Sequence, residues 1–293
     1  MAKRTDKPVP EPRATGSGPE PRPGPGPGPG PGDDDLVAAR LRRHLQFLGL
    51  THTLDQLDTH LAWATRERPG TTALLEYLLG AEAAHKLEQR IDRRIDTSGL
   101  VERKALEAFD WDFQPGLDKA LVLELARLDF VRRHDDLVIT GKTGTGKSHL
   151  LKAFALRACE QGLSMRYARC VDLLDDLHAG LADGTYPRRL KAWARPDLLI
   201  IDDVGLGQVK KRGDEPTAAH TLYNLVDRRH TRVSTAVTSN IALSDWGRFL
   251  GDTTLTAAIL DRLAMHAIRI DIDGPSYRQH VAERRASDRA PAL

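Results

Sequence analysis

Gly141-Lys142-Thr143-Gly144-Thr145-Gly146-Lys147-Ser148 is the stretch of this chain whose residue types and spacing imply chemistry most directly. Glycines at these positions let the backbone curl until successive amides point at phosphate oxygens, and the start of a following helix adds positive potential. Lys147 offers a point charge to terminal phosphates, and Ser148 a hydroxyl to Mg²⁺. Gly141, Thr143, Gly144, Thr145, Gly146 and His149 make up the rest of the expected phosphate surround. Such a loop needs an apolar strand before it and a helix after it, and Leu137–Thr140 and His149–Cys159 have those patterns.

Leu198-Leu199-Ile200-Ile201-Asp202-Asp203 is a second constellation, four aliphatics ending in two carboxylates. A buried parallel strand delivers such acids to the carboxyl edge of its sheet, where ligands bind in open α/β folds. Asp202 is the expected partner of hydrated Mg²⁺, and Asp203 is placed to orient or deprotonate an attacking water. Thr238-Ser239-Asn240 closes another apolar run. Asn240 could hydrogen-bond a γ-phosphate or the water, or simply open a turn. Arg262 and Arg278 are available to neutralise charge on a transferred phosphoryl group. The combination implies nucleotide hydrolysis.

Five short β-rich runs are expected to hold these residues: 137–140, 164–168, 198–201, 234–238 and 267–270. They alternate with helical stretches, which points to a parallel sheet covered on both faces. Upstream, Leu36, Leu41, Leu45 and Leu48 form a helical stripe after Asp33, Asp34 and Asp35, with Gly49 to close it. A second helix is expected over Thr51–Trp63. A third is expected over about Thr72–Ile95, with Leu74, Leu75, Leu78, Leu79, Ala84, Leu87, Ile91 and Ile95 on one side. Residues 1–32 hold ten of the 17 prolines and seven of the 24 glycines. With almost no apolar side chains to offset the entropy of ordering, that segment is expected to be a disordered tail.

The chain has 293 residues, and its net charge of +2 excludes a protein held to nucleic acid by a global positive field. Two cysteines, Cys159 and Cys170, are too few for a disulfide framework or a sulfur-ligated zinc site. No metal is expected besides Mg²⁺. No apolar run reaches the roughly 20 residues of a membrane helix, and the N-terminus lacks a signal peptide's apolar segment, so a cytoplasmic protein is expected. Local basic clusters remain. Lys210-Lys211-Arg212 sits in a stretch that reads as a mobile loop facing DNA or as a solvated turn. Arg188, Arg189, Lys191 and Arg195 flank Trp193. Tyr186 and Trp193 could stack on bases or fill core. Nothing resembles a base-reading motif, so any DNA contact is expected to be backbone-directed.

The order of Gly141–Ser148, Leu198–Gly205, Thr238-Ser239-Asn240 with Ser244-Asp245-Trp246-Gly247, Ile259–Leu263 and Gly274–Arg278 resembles IstB. IstB proteins are the ATP-binding helpers of insertion-sequence transposition, similar to the DnaC helicase loaders of the AAA+ initiator clade. Phe109–Leu117 is similar to the linker by which they enter the ATPase domain. The resemblance covers roughly Leu36 to His280 and is strongest from Phe109 onward. It implies an α/β AAA+ P-loop NTPase with a five-stranded parallel sheet between helices, no separate lid, and a small all-helical domain before it. The implied boundaries are 1–35 tail, 36–108 helical domain, 109–280 ATPase domain and 281–293 flexible tail.

The resemblance further implies ATP and Mg²⁺ as ligands, ATP-driven homo-oligomers on duplex DNA, and assistance to a DDE transposase in target selection. Lys147 and Ser148 take the Walker A roles, Asp202 and Asp203 the Walker B roles, and Asn240 the first sensor. Arg262 is similar to an arginine finger reaching a neighbour's ATP, and Arg278 to the second sensor. Asp203 departs from the Glu of many AAA+ proteins, one methylene shorter for a water base. The alternative implied function is a DnaC-like loader of a replicative helicase, which shares every catalytic residue.

Overall fold

The structure is a computed structural model that describes residues 34–207 and 217–289. The Pro/Gly tail and Lys210-Lys211-Arg212 lie outside the described residues. The chain divides into two compact units, Met1–Ala84 and His85–Leu293.

The first unit is helical. It contains α1 (Asp34–Phe47), α2 (Thr51–Asp55), α3 (Leu57–Glu67) and the first half of α4 (Thr71–Ser98). The helix expected over Thr51–Trp63 is in fact two, broken at Gln56, which caps one and begins the other. The break lets Leu57 and His60 turn inward. Thr53 is also buried, and its amide donates to Glu82 Oε2 at 2.8 Å. The apolar side expected for α4 is only partly buried. Leu75, Leu79 and Leu87 are more than half exposed, whereas Ile95 is buried. Residues one apart on a helix are offset by about 100°. Leu74 and Leu75, or Leu78 and Leu79, therefore cannot share one narrow face.

The second unit is α/β. After α4, a short 3₁₀ turn (Leu106–Ala108) leads to α5 (Lys119–Leu125), α6 (Asp129–Arg132), β1 (Asp136–Gly141), α7 (Lys147–Glu160) and β2 (Met165–Arg169). There follow α8 (Cys170–Ala182), α9 (Tyr186–Ala194), β3 (Leu198–Val204), α10 (Ala218–Arg229) and β4 (Ser234–Ser239). The described chain closes with α11 (Trp246–Leu250), α12 (Thr253–Met265), β5 (Ala267–Ile272) and α13 (Tyr277–Arg289). All five expected strands are present, every pairing is parallel, and the order is β2-β3-β4-β1-β5. Among the described residues only α13 follows β5, so there is no separate lid. This is the expected fold class.

Alternation along the strands builds two cores. Leu137, Ile139, Leu198, Ile200 and Ile270 pack with α7 on one face, while Val138, Leu199, Ile201 and Val237 pack with α8, α10 and α12 on the other. Ile95, Leu100 and Leu106 belong to the α7-side core, so residues 85–108 pack with the α/β unit although the sequence groups them with the helices before it. α13 likewise carries helix into the stretch read as a flexible tail. Side-chain caps fix three helix starts: Asp118 accepts from the Leu121 amide, Thr217 from His220 and Asp252 from Leu255. Cys159 and Cys170 are both buried and unpaired, and burial pushes their thiols up to about 11 and about 12.

Candidate functional site

The strand order sets the carboxyl ends of β1, β4 and β3 side by side, with Thr140 paired to Ser239 and Ile201 to Val237. The glycine-rich loop leaves β1, the acid pair ends β3, and Asn240 follows β4. The topology thus brings together what the sequence separates.

The loop is held by its own polar groups. Thr145 Oγ1 donates to the Lys142 carbonyl at 2.9 Å, and Lys147 Nζ donates to the carbonyls of Gly141 and Lys142 at 2.8 and 2.7 Å. An ammonium has three donors, so one remains to face a phosphate. Lys147 is buried; desolvation pulls its pKa down, while Asp203 and Asp202 push it back up. The N-cap of α7 is Gly146, with φ 102° and no side-chain cap, which leaves the first-turn amides without a side-chain acceptor. A Cβ on Gly146 would also stand 2.7 Å from the Phe109 ring. One residue type answers both the backbone conformation and the close approach.

The acid pair sits on a distortion. The β3–β4 register shifts between Ile201 and Val204, and Asp203 takes φ 59°, the left-handed region. Such a conformation costs of order 1–3 kcal/mol in a residue with a side chain and persists only where neighbours over-determine it. They do so here. The Asp203 amide donates to Thr238 Oγ1 at 2.8 Å, and Asn240 Nδ2 donates to Asp203 Oδ1 at 3.0 Å. Asp202 is 1% exposed, and its Oδ1 accepts from Ser148 Oγ at 3.0 Å. Tyr167 Oη donates to Asp202 Oδ2 at 2.5 Å; burial and the neighbouring aspartates push the phenol's pKa up, so it stays a donor. The Ser148 hydroxyl and the Asp202 carboxylate beside it are hard oxygen donors, the set that suits Mg²⁺ shared with phosphates and water.

A cavity of about 300 Å³ opens between these groups, lined by Thr143–His149, Asp203, Asn240 and Arg278. Its other wall was not assigned from sequence. Phe109, Phe113 and Gln114 come from the linker, and Tyr277 from α13. Phe113 meets the rings of Tyr277 and His280 at 5.1 and 5.0 Å. Gln114 Nε2 donates to the Pro275 carbonyl at 3.0 Å, and the Tyr277 amide donates to the Gly144 carbonyl at 3.0 Å. A clasp from both ends of the unit therefore closes over the loop. The aromatic density of Phe109-Asp110-Trp111-Asp112-Phe113 was the available signal. At the rim, Lys104 and Lys152 hold the Glu102 carboxylate down at about 2.

Three expected residues, Gly141, Asp202 and Arg262, stand apart from the cavity, and a fourth, His149, lines it in another role. Gly141 supports the loop from behind, with Lys147 on its carbonyl. Asp202 reaches the site through Ser148. His149 lines the cavity, but its Nε2 lies 2.9 Å from the Ala105 carbonyl and its ring packs on Phe109, so its side chain ties down the linker. Arg262 lies outside the cavity, bonded to Asp227 at 2.9 Å and Tyr223 Oη at 2.8 Å. The basic segment is also changed by the structure. Trp193 is buried, donates to Asp176 at 2.7 Å and lies under Arg166, while Arg189 is paired with Asp176 and Asp183. Trp193 is thus core and is not a platform for bases; Arg188, Lys191 and Arg195 remain exposed. Among the described residues no group of three or more His, Cys, Asp or Glu side chains is placed to hold a metal ion, and no helix is long and apolar enough to cross a membrane.

A phosphate-sized cradle at the end of one strand, beside the aspartates and the asparagine that end its neighbours, is the arrangement of a P-loop nucleotide-binding fold. The model of the IstB-like ATP-binding proteins matches residues 43–286, and the chain belongs to that family. It is 29% identical to the insertion sequence IS5376 ATP-binding protein of Geobacillus stearothermophilus, over 82% of this chain and 93% of that one. It is 32% identical to the insertion sequence ATP-binding protein y4pL of Sinorhizobium fredii, over 80% of this chain and 94% of the other. Among solved structures, DnaI is similar with a TM-score of 0.46 at 20% identity, over 59% of this chain and 90% of that chain.

Proposed function

We propose that this protein is an ATP-hydrolysing switch that assembles on duplex DNA and assists the DDE transposase of an insertion sequence. The observation that supports it best is the joining of Lys147, Ser148, Asp203 and Asn240 at one cavity, with Asp202 bonded to Ser148 behind it, in a chain whose relatives are insertion-sequence ATP-binding proteins.

In this reading the amides of Gly144 to Ser148 and the ammonium of Lys147 grip the β- and γ-phosphates. Ser148 and Asp202 would hold Mg²⁺, which neutralises phosphate charge when bound. Asp203 orients the attacking water and accepts its proton; Asn240 occupies Oδ1, which leaves Oδ2 for the water. Arg278 lines the cavity and completes the charge on the γ-phosphate. Arg262 acts on a neighbouring subunit's ATP. Its tether to Asp227 and Tyr223, away from its own cavity, suits a residue that serves another copy. An arginine acting in trans couples assembly to ATP, since a partner that binds only the ATP state stabilises it by mass action. DNA is held by its backbone, with Arg188, Lys191 and Arg195 as exposed candidates for contact.

Asp203→Asn protein mixed with ATP and duplex DNA should form a stable DNA-bound assembly, read by sedimentation or electron microscopy. A protein that stays monomeric under those conditions overturns the reading. Mixing Arg262→Ala with Lys147→Ala protein should restore part of the hydrolysis that each lacks alone.

A further inference from the structure

We propose that Tyr167 on β2 and Thr238 on β4 are positioning residues that brace the Asp202 carboxylate for Mg²⁺ from the two strands flanking β3. This rests on the nucleotide reading above and extends it to two side chains to which that reading gives no role.

A carboxylate that is 1% exposed must find its hydrogen bonds within the protein. Asp202 finds four. Oδ1 accepts from Ser148 Oγ at 3.0 Å, from the Asp203 amide at 3.1 Å and from Thr238 Oγ1, while Oδ2 accepts from Tyr167 Oη at 2.5 Å. Two donors lie on the phosphate-loop side or in the next peptide unit. The other two come from neighbouring strands, one on each side of β3.

The register explains how each reaches. Tyr167 pairs with Ile200, two residues before Asp202, and alternation places Ile200 and Asp202 on one face of the sheet. The long phenol spans that offset along the face and delivers its hydroxyl to the outer oxygen. On the other side the β3–β4 register shifts between Ile201 and Val204, which leaves Thr238 opposite the distortion. Thr238 has no exposed surface, and its hydroxyl does two things at once. It donates to Asp202 Oδ1 and accepts from the Asp203 amide at 2.8 Å. One group therefore fixes the metal-side carboxylate and the left-handed backbone of the water-side aspartate, whose φ is 59°. A donor and an acceptor are both required, so valine, although the same shape, cannot replace it.

Hydrogen bonds to a metal-holding carboxylate fix its orientation, and losing such a partner commonly costs 10- to 100-fold in metal affinity or activity. Tyr167 and Thr238 touch no phosphate in this scheme; they act through Asp202.

The test uses the full-length protein and a fluorescent ATP analogue, titrated with MgCl₂ and separately in EDTA. Tyr167→Phe should raise the Mg²⁺ concentration for half-maximal analogue binding about tenfold, with affinity in EDTA unchanged within twofold. Thr238→Val should do the same, and Thr238→Ser, which keeps the hydroxyl, should restore the wild-type Mg²⁺ dependence. If Thr238→Val does not fold, Tyr167→Phe alone decides. Unchanged Mg²⁺ dependence in folded Tyr167→Phe protein overturns the brace, and so does an equal loss in Mg²⁺ and EDTA, which would mark a purely structural role. Wild-type protein that binds the analogue in neither condition overturns the nucleotide reading itself, and the brace with it.

Discussion

In the ATP-binding unit every strand from β1 to β4 feeds apolar side chains to helices on both faces, and Leu137, Ile139, Leu198, Leu199 and Ile200 have no exposed surface. In the helical unit the buried apolar residues among those described are Leu45 and Leu57, alongside the polar Thr53, His60 and Glu82. Phe47 is 90% exposed there, and Leu36, Leu48, Leu75 and Leu79 are each more than half exposed. A close-packed interior transmits position, because side chains in it have few alternative rotamers. That is the scaffold on which hydrogen-bond distances can be kept to within tenths of an ångström. The small unit buries few apolar side chains among those described and leaves several outward, so it offers no comparable scaffold.

If chemistry belongs to the ATP-binding unit alone, substitutions should separate the two. Lys147→Ala should weaken ATP binding at least about 100-fold, read by fluorescence titration, with the circular dichroism of the helices unchanged. Asp203→Asn should lower turnover by about 10² to 10³ while ATP affinity stays within a few-fold; a parallel loss of both would mean that Asp203 supports binding, not water activation. Gly274→Ala should weaken ATP binding by about five- to tenfold, because its new Cβ would run into Gln114 and spring the clasp. An unchanged affinity would show that the clasp does not shape the cavity.

The smallest effect should lie in the helical unit. His60 is buried, with both ring nitrogens lacking hydrogen-bond partners, and it meets Tyr77 edge-on at 5.2 Å. His60→Leu removes the desolvation cost of those nitrogens and should stabilise by up to about 1 kcal/mol, seen in thermal melts, without altering ATP binding. A change in ATP affinity on this substitution would break the division of labour drawn above.

The base of the sheet shows why some residues escape a reading by sequence. A lone arginine such as Arg229 is ordinarily a surface residue, yet this one is 1% exposed. Its guanidinium meets the carbonyls of Ala194 and Pro196 at 3.0 and 2.9 Å and Thr235 Oγ1 at 3.0 Å. Burial draws its pKa down to about 10 and pushes that of nearby Asp136 up to about 6. Between the ordinary and the raised value the folded state binds the extra proton, so the Asp136 contribution to stability falls as pH rises from about 4 to about 6. Trp193 was legible only as two alternatives, and its bond to Asp176 selects the core one. The convergence of two carbonyls and a hydroxyl on one guanidinium, or of distant donors on one carboxylate, leaves no periodic trace.

The sequence by itself determined the five strands, the phosphate loop and the acid pair, because each depends on residues that are neighbours in the chain. A two-residue period makes a strand, and glycines at fixed offsets make an amide cradle wherever they fold. Tertiary structure decided the rest: that Phe113, Gln114 and Tyr277 close the cavity, that Arg262 turns away from it, and that Tyr167 and Thr238 converge on Asp202. Those contacts depend on strand order and register. A one-residue slip of β2 or β4 would carry Tyr167 or Thr238 to the opposite face of the sheet without changing a single local pattern.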